Sequence, residues 1–307
     1  MPDQTVLPKP GADAAAAIAP PTLAHKIAAD LDQQRKTGAL RQITIPPCPA
    51  LLTRLQAALA LAEPDLQEVA RIAHSDVAMA ATLLRNANSA LYTTDQPVQT
   101  VGQAMNRIGL KQAGMLLTAV LVRQAIPVSH PRLQGFWQQA SLRAAAMDFI
   151  ARQLPGVAPD LAQLYGLFNH VGIPVLLQRM PGYSGTLVEA HARRDRPFVA
   201  TENANHRTDH AVVGALVARV WGVAPVVMAA IRLHHELPQI DRQASDPEVH
   251  TLVAMGLLAE DAMRRRENLH PEHDWKLHAA AARDWLGITE GEIADWDERL
   301  NLVLDAV

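Results

Sequence analysis

The feature that most limits what this chain can fold into is its succession of helix start and stop signals from Pro49 onward. Asp65 can accept a bond from the backbone three residues on, where Glu68 completes a capping-box-like spacing. Ser75 and Asp76 precede Val77, Ala80, Ala81 and Leu84, which share one helical face. Thr100 opens another helix that should end near Gly109. Pro225 suits a first helical position, and Thr289-x-x-Glu292 spells a capping box. No stretch alternates apolar and polar residues convincingly, and no repeat of fixed period is present. Aromatics make up only 4% of the residues while Ala and Leu are abundant, which favours helix over sheet. The expected fold class is all-α.

The organisation follows from the same signals. Residues 1–21, rich in Pro and Ala, have little to bury and predict a disordered tail. A helix is expected within 22–42, with Leu23, Ile27 and Leu31 every four residues and Gly38 as its stop. "IPPCP" (45–49) is a rigid connector, because proline fixes φ and restrains its predecessor. "KQAGMLLTAVLVRQAI" (111–126) is apolar almost all round and predicts a central core helix. Pro127 and Pro131 mark a break between two halves. Further helices are expected over 136–154 (amphipathic), 161–180 (with Pro174 kinking or restarting it), 209–222, 225–237 and within 247–307.

Composition removes several functional classes. The net charge is −3 with both signs interspersed, so no basic patch invites nucleic acid. The one cysteine, Cys48, cannot form an internal disulfide and lies in the proline-rich connector, where a structural role is expected. The longest apolar run, "GMLLTAVLV" (114–122), is too short for a bilayer, and no signal peptide is evident. A cytoplasmic protein without a membrane partner is expected. There is no phosphate-binding glycine loop, and "GYSGT" (182–186) fails the nucleophile-elbow pattern because Thr186 stands at its second glycine. His235-Glu236 is not followed by the second histidine of a helical metalloprotease motif.

Histidines remain. Of 13, five draw interest: His170, His206, His210, His234 and His235. His170 is the oddest, lying beside Asn169 in the apolar run "LFNHVGIPVLL" (167–177). His206 and His210 share a face if both are helical, but Thr208 as N-cap would leave His206 outside the helix. His234 falls on the helical face of Val227 and Ile231, while His235 is turned about 100° away. For any single histidine the plainer expectation is a packed or surface ring.

Several stretches together resemble a known family. "LLRNANSALY" (83–92), introduced by "SDVAMAATL" (75–83) and followed by "VGQAMNRIGLKQ" (101–112), closely resembles the HDOD family, the HD-related output domains of bacterial signalling proteins. "IPPCPALLTRL" (45–55) resembles that domain's opening, and "DHAVVGALVARVWGVAP" (209–225) with "AIRLHH" (230–235) its close. The resemblance covers residues 43–240. It implies an N-terminal helical half (43–127) packed on an HD-like helical half (128–240), with 241–307 as a C-terminal helical extension.

The same resemblance implies kinship with metal-dependent phosphohydrolases, whose centre uses a His-Asp pair where this chain has Asn169 and His170. Another family ligand falls at Ala140, which can ligate nothing. His210, His234 and His235 match family histidines, and the last family Asp falls at Glu260 or Asp261. The implied function is a non-catalytic signalling module with a degenerate metal site, acting through a signalling protein partner or a small ligand. The alternative is a phosphohydrolase with a rearranged centre of His170, His210, His234 and His235. No cofactor is expected for the first. A transition metal suits the second, because imidazoles favour zinc, iron or nickel over magnesium or calcium. Asn88 and Tyr92 are expected to stitch helices together by side-chain hydrogen bonds.

Overall fold

In the computed structural model every regular element among the described residues is helical, with no strand. The described residues are 22–37, 39–92, 96–193, 195–236, 246–305 and 307. The expected tail over 1–21 and the expected stop at Gly38 lie outside them. The first half contains α1 (Leu23–Thr37), α2 (Ala50–Leu59), α3 (Leu66–His74), α4 (Val77–Ala87), α5 (Val101–Ile108) and α6 (Leu110–Ala125). The second contains α7 (Phe136–Gln153), α8 (Pro159–Phe168), α9 (Gly172–Arg179), α10 (Tyr183–Ala192), α11 (Phe198–His206), α12 (His210–Val220) and α13 (Pro225–Leu233). After these come α14 (Pro247–Arg266), α15 (His273–Leu286) and α16 (Glu290–Asp305). No helix among the described residues is long and apolar enough to cross a membrane.

Several helix ends form as the residues dictate. Thr100 and Gln103 close a full capping box at α5, and Thr289 with Glu292 does the same at α16. Asp65 caps α3, but the Glu68 carboxylate turns outward to Arg54 and Arg71 instead of reaching back. Asp76 alone caps α4, because Ser75 is already the C-cap of α3. Asn88, at the end of α4, donates to the Val98 carbonyl at 2.9 Å and accepts from the Val98 N–H at 2.7 Å. Tyr92 packs half-buried against the core, and that burial, with the Asp148 charge, raises its hydroxyl pKa.

Three expectations are corrected by the packing. α6 is not buried all round: Ala113, Gly114, Leu117, Thr118, Leu121 and Val122 form one buried stripe, and the opposite face is half-covered. The central helix is α7, which was expected to be amphipathic. It buries residues on several sides and packs against α8, α14 and α16. α13 ends at Leu233, so His234 and His235 fall in the turn that follows rather than within a helix to 237.

One continuous core runs from Ala24 to Leu304, through both halves. α1 lies across α12 and α13, with Asp32 paired to Arg219 at 3.2 Å. Trp221, beyond α12, donates from its indole to the Pro46 carbonyl at 2.8 Å and ties the proline connector to the second half. Cys48, free and half-buried in that connector, lies 4.0 Å from the Trp221 carbonyl.

A candidate histidine centre

The site begins with a close approach of two helices. At Gly172 an added Cβ would lie 2.1 Å from the His210 carbonyl oxygen and 2.7 Å from the Gly214 nitrogen. Only glycine lets the start of α9 press on the start of α12. The preceding turn therefore sits against His210. Chain 169–171 breaks α8 from α9, and Pro174 falls in the first turn of the restarted helix. Asn169 caps the end of α8, and His170 projects so that its ring centroid is 5.3 Å from those of both His210 and His234.

Three histidines converge. One ring nitrogen from each of His170, His210 and His234 lies within 4.8 Å of the others. His235 Nε2 reaches His210 Nε2 at 3.2 Å but falls outside that mutual set. Both histidines after α13 reach the centre because the helix has ended, so the 100° separation of helical neighbours no longer applies. His206, last in α11, is drawn off to Thr186 Oγ1 at 2.8 Å. The N-cap of α12 is Asp209, not Thr208, whose hydroxyl is buried with no partner among the described residues.

Three of the four rings, those of His210, His234 and His235, are held from behind. His210 Nδ1 meets Glu202 Oε2 at 2.7 Å, and Glu202 also accepts from the Tyr183 hydroxyl. His234 Nδ1 lies 2.7 Å from the Ile231 carbonyl. His235 Nδ1 pairs with Asp274, in the first turn of α15. A carbonyl can only accept, so Nδ1 carries the proton on His234 and its Nε2 is left with a lone pair. Glu202 favours the same tautomer on His210.

Burial and the nearby Arg143 push the His170 pKa well down. Burial and the two neighbouring histidines do the same to His234. Burial alone would lower His210 too, but the Glu202 carboxylate outweighs it and raises this ring. The unfolded chain therefore binds protons at positions 170 and 234 before the folded one does as pH falls through 6.5. His210 works in the opposite sense, since its contribution is full in acid and is lost as pH rises. Burial also raises the Glu272 carboxyl, which acts with His210, but the shifts at His170 and His234 are the larger ones. Chelator-treated protein should therefore melt at a lower temperature at pH 5 than at pH 7.5, and His234→Asn should flatten the profile. A wild-type midpoint that rises in acid would contradict the assignment.

The arrangement fits a cation. His210 Nε2 is 3.2 Å from both His234 Nε2 and His235 Nε2. Two bare nitrogens at that distance repel. A proton on His210 satisfies one contact, whereas a metal ion satisfies several at once. Nitrogens on a tetrahedral ion with bonds of about 2.0–2.1 Å lie about 3.3–3.4 Å apart, close to the spacing of His210 from His234 and His235, while a His170 nitrogen lies within 4.8 Å of those of His210 and His234. Carboxylates holding the far nitrogens are the usual support of such ligands.

Of the remaining positions, Asn169, Glu260 and Asp261 line the same cavity as His170, His234 and His235, and Ala140 does not. Ala140 is buried on α7, one turn before Arg143. Of the two acidic positions, Glu260 faces the histidines, 3.8 Å from His170 Nδ1, but it is held by Arg143. Asp261 is turned to Arg265. The Asn169 Oδ1 is buried without a partner among the described residues. Glu202, Tyr183, Arg143 and Asp274 were missed from the sequence. They lie on other helices, and no local spacing ties them to the histidines.

Comparison with known proteins agrees with this architecture. A family model for the HDOD domain matches residues 45–237. An uncharacterized protein of Treponema pallidum (strain Nichols) is 26% identical over 196 residues, covering 63% of this chain and 38% of that relative. The chain thus spans well under half of that relative's length. A crystal structure of a candidate phosphohydrolase from Shewanella amazonensis SB2B aligns with a TM-score of 0.68 at 21% identity, covering 90% of this chain and 96% of that one. An HDOD domain protein of unknown function from Geobacter sulfurreducens aligns at 0.68 and 19%, covering 92% and 96%. A candidate signal transduction protein from Marinobacter aquaeolei VT8 aligns at 0.68 and 22%, covering 92% of this chain and 64% of that one. At these identities the structures bear on fold alone. The family match spans well over half of the sequence, and the chain belongs to the HDOD domain family.

Proposed function

We propose that the chain is a cytoplasmic, non-hydrolytic signalling module that acts by binding a partner protein. One observation carries this reading: every carboxylate around the histidines is already committed. Glu202 is held by His210 and Tyr183, Glu260 by Arg143, Glu272 by Arg264, Asp274 by His235, Asp261 by Arg265, and Asp209 by Asn203 and the start of α12. Two-metal phosphoester hydrolysis depends on carboxylates free to bind the ions and balance their charge. The cavity beside the histidines is small, about 30 Å³, and Arg264, Glu272 and Trp275 line it together with the rings.

The converging nitrogens favour a second reading, a metal-dependent phosphohydrolase. His170, His210 and His234 would hold one transition-metal ion, with His235 at the edge. When bound, such an ion acts as a Lewis acid and lowers the pKa of bound water. The protein's own part is then to orient the rings through Glu202, the Ile231 carbonyl and Asp274. Protein purified without a histidine tag separates the two readings. We expect no more than one metal per chain. Cyclic dinucleotides and bis(p-nitrophenyl) phosphate should stay intact with Mg²⁺, Mn²⁺ or Fe²⁺ supplied. Turnover that disappears in His234→Ala would replace the regulatory reading with the enzymatic one.

A further inference from the structure

The half-covered face of α6 raises a separate question, because the sequence places apolar residues there that the described chain does not bury. Met115, Leu116, Ala119 and Val120 line a surface groove of about 300 Å³ between α4, α6, α7 and α8, with Val307 from beyond α16 at its edge. Where local pattern and packing disagree in this way, function is a common reason. The groove also takes up residues of "LLRNANSALY" that have no other evident use. Asn88 of that motif clamps Val98, but Arg85 and Asn86 face the groove instead.

Its charge is one-sided. Arg85 and Arg123 border it, and neither has an acidic partner among the described residues. No Asp or Glu among the described residues lines it, although the whole chain carries a net charge of −3. The Asn86 Oδ1 is buried and has no partner among the described residues. Groove-lining positions on α6 run from Gln112 to Arg123. Eleven residues of rise make that roughly 16 Å, about three helical turns.

We propose that this groove is the docking surface for an acidic amphipathic helix of a partner protein. Its apolar face would cover Leu116 and Val120, and its carboxylates would pair with Arg85 and Arg123. This is helix-in-groove recognition with charge fixing the orientation. The inference rests on the regulatory reading above and names the surface that such a module would use.

The test uses the full chain and fluorescent fourteen-residue helical peptides of leucine and glutamate, read by anisotropy. A scrambled version and a lysine-for-glutamate version serve as controls. The acidic amphipathic peptide should bind at least about tenfold tighter than either, a difference of about 1.4 kcal/mol. The R85E/R123E double variant should reverse the charge preference, and Leu116→Gln should weaken binding of both helices. Circular dichroism shows whether each variant is folded. Equal affinities for all three peptides, or a preference unchanged in the double variant, overturns the proposal. Inorganic phosphate that binds with the same arginine dependence, while the peptides show no preference, also overturns it and leaves a small-anion site. Phosphodiester turnover does not involve this groove. Failed peptide binding without turnover removes the surface and leaves the regulatory reading. Peptide binding with turnover does the reverse.

Discussion

Gly172→Ala should destabilise the protein by about 3 kcal/mol, the upper part of the range for forcing atoms into a packed site. The added methyl would meet the His210 carbonyl oxygen at 2.1 Å and the Gly214 nitrogen at 2.7 Å. Both are backbone atoms inside a helix, so no side chain can swing aside. The chain must instead part α9 from α12, which separates His170 from His210 and opens the centre. Gly185→Ala is the matched control. It lies in α10, where an added Cβ meets nothing within 4 Å, and it should be neutral or stabilising by up to about 1 kcal/mol. Urea midpoints of the two variants should therefore move in different directions or by very different amounts. Equal shifts would mean that the close approach at Gly172 does not govern this region.

That glycine also shows where sequence reasoning reaches its limit. Helix positions could be read locally because caps act within one turn: Asp65, Asp76, Thr100 and Thr289 all cap the helices they precede. Errors arose where a neighbouring element decided the outcome. α6 looks uniformly apolar, yet only tertiary packing sets which stripe is covered. Thr208 and Asp209 are both good caps, and the choice of Asp209 follows from where α11 ends. At the site, the family resemblance located His170, His210, His234 and His235. It could not show that α13 stops at Leu233, which brings the last two rings to one place. Glu202 has no sequence signature at all. It lies in a separate helix eight residues before His210, and only the fold turns its carboxylate onto that ring.

Glu202→Ala should accordingly have the largest effect of any change at the centre that leaves the backbone unstrained, about 3–5 kcal/mol of stability. The carboxylate has no exposed surface and serves two buried donors, the Tyr183 hydroxyl and His210 Nδ1. Alanine would leave both without partners in a dry interior. Glu202→Gln separates hydrogen bonding from charge. Its amide oxygen can accept from His210 while its N–H₂ donates to the Tyr183 oxygen, which as a hydroxyl also accepts. The glutamine variant should lose less than half as much stability as alanine. Without the anion, the His210 pKa should fall, so the part of stability that fades as pH rises through that titration should disappear. Ring orientation supplies an independent readout. With Nδ1 no longer held, His210 is free to turn its Nε2 away from His170 and His234. Co²⁺ or Zn²⁺ affinity of the alanine variant should then drop about 10–100-fold, the usual consequence of losing such a support. A stability loss under about 1 kcal/mol, with metal affinity unchanged, would show that the Tyr183–Glu202–His210 chain does not organise the centre.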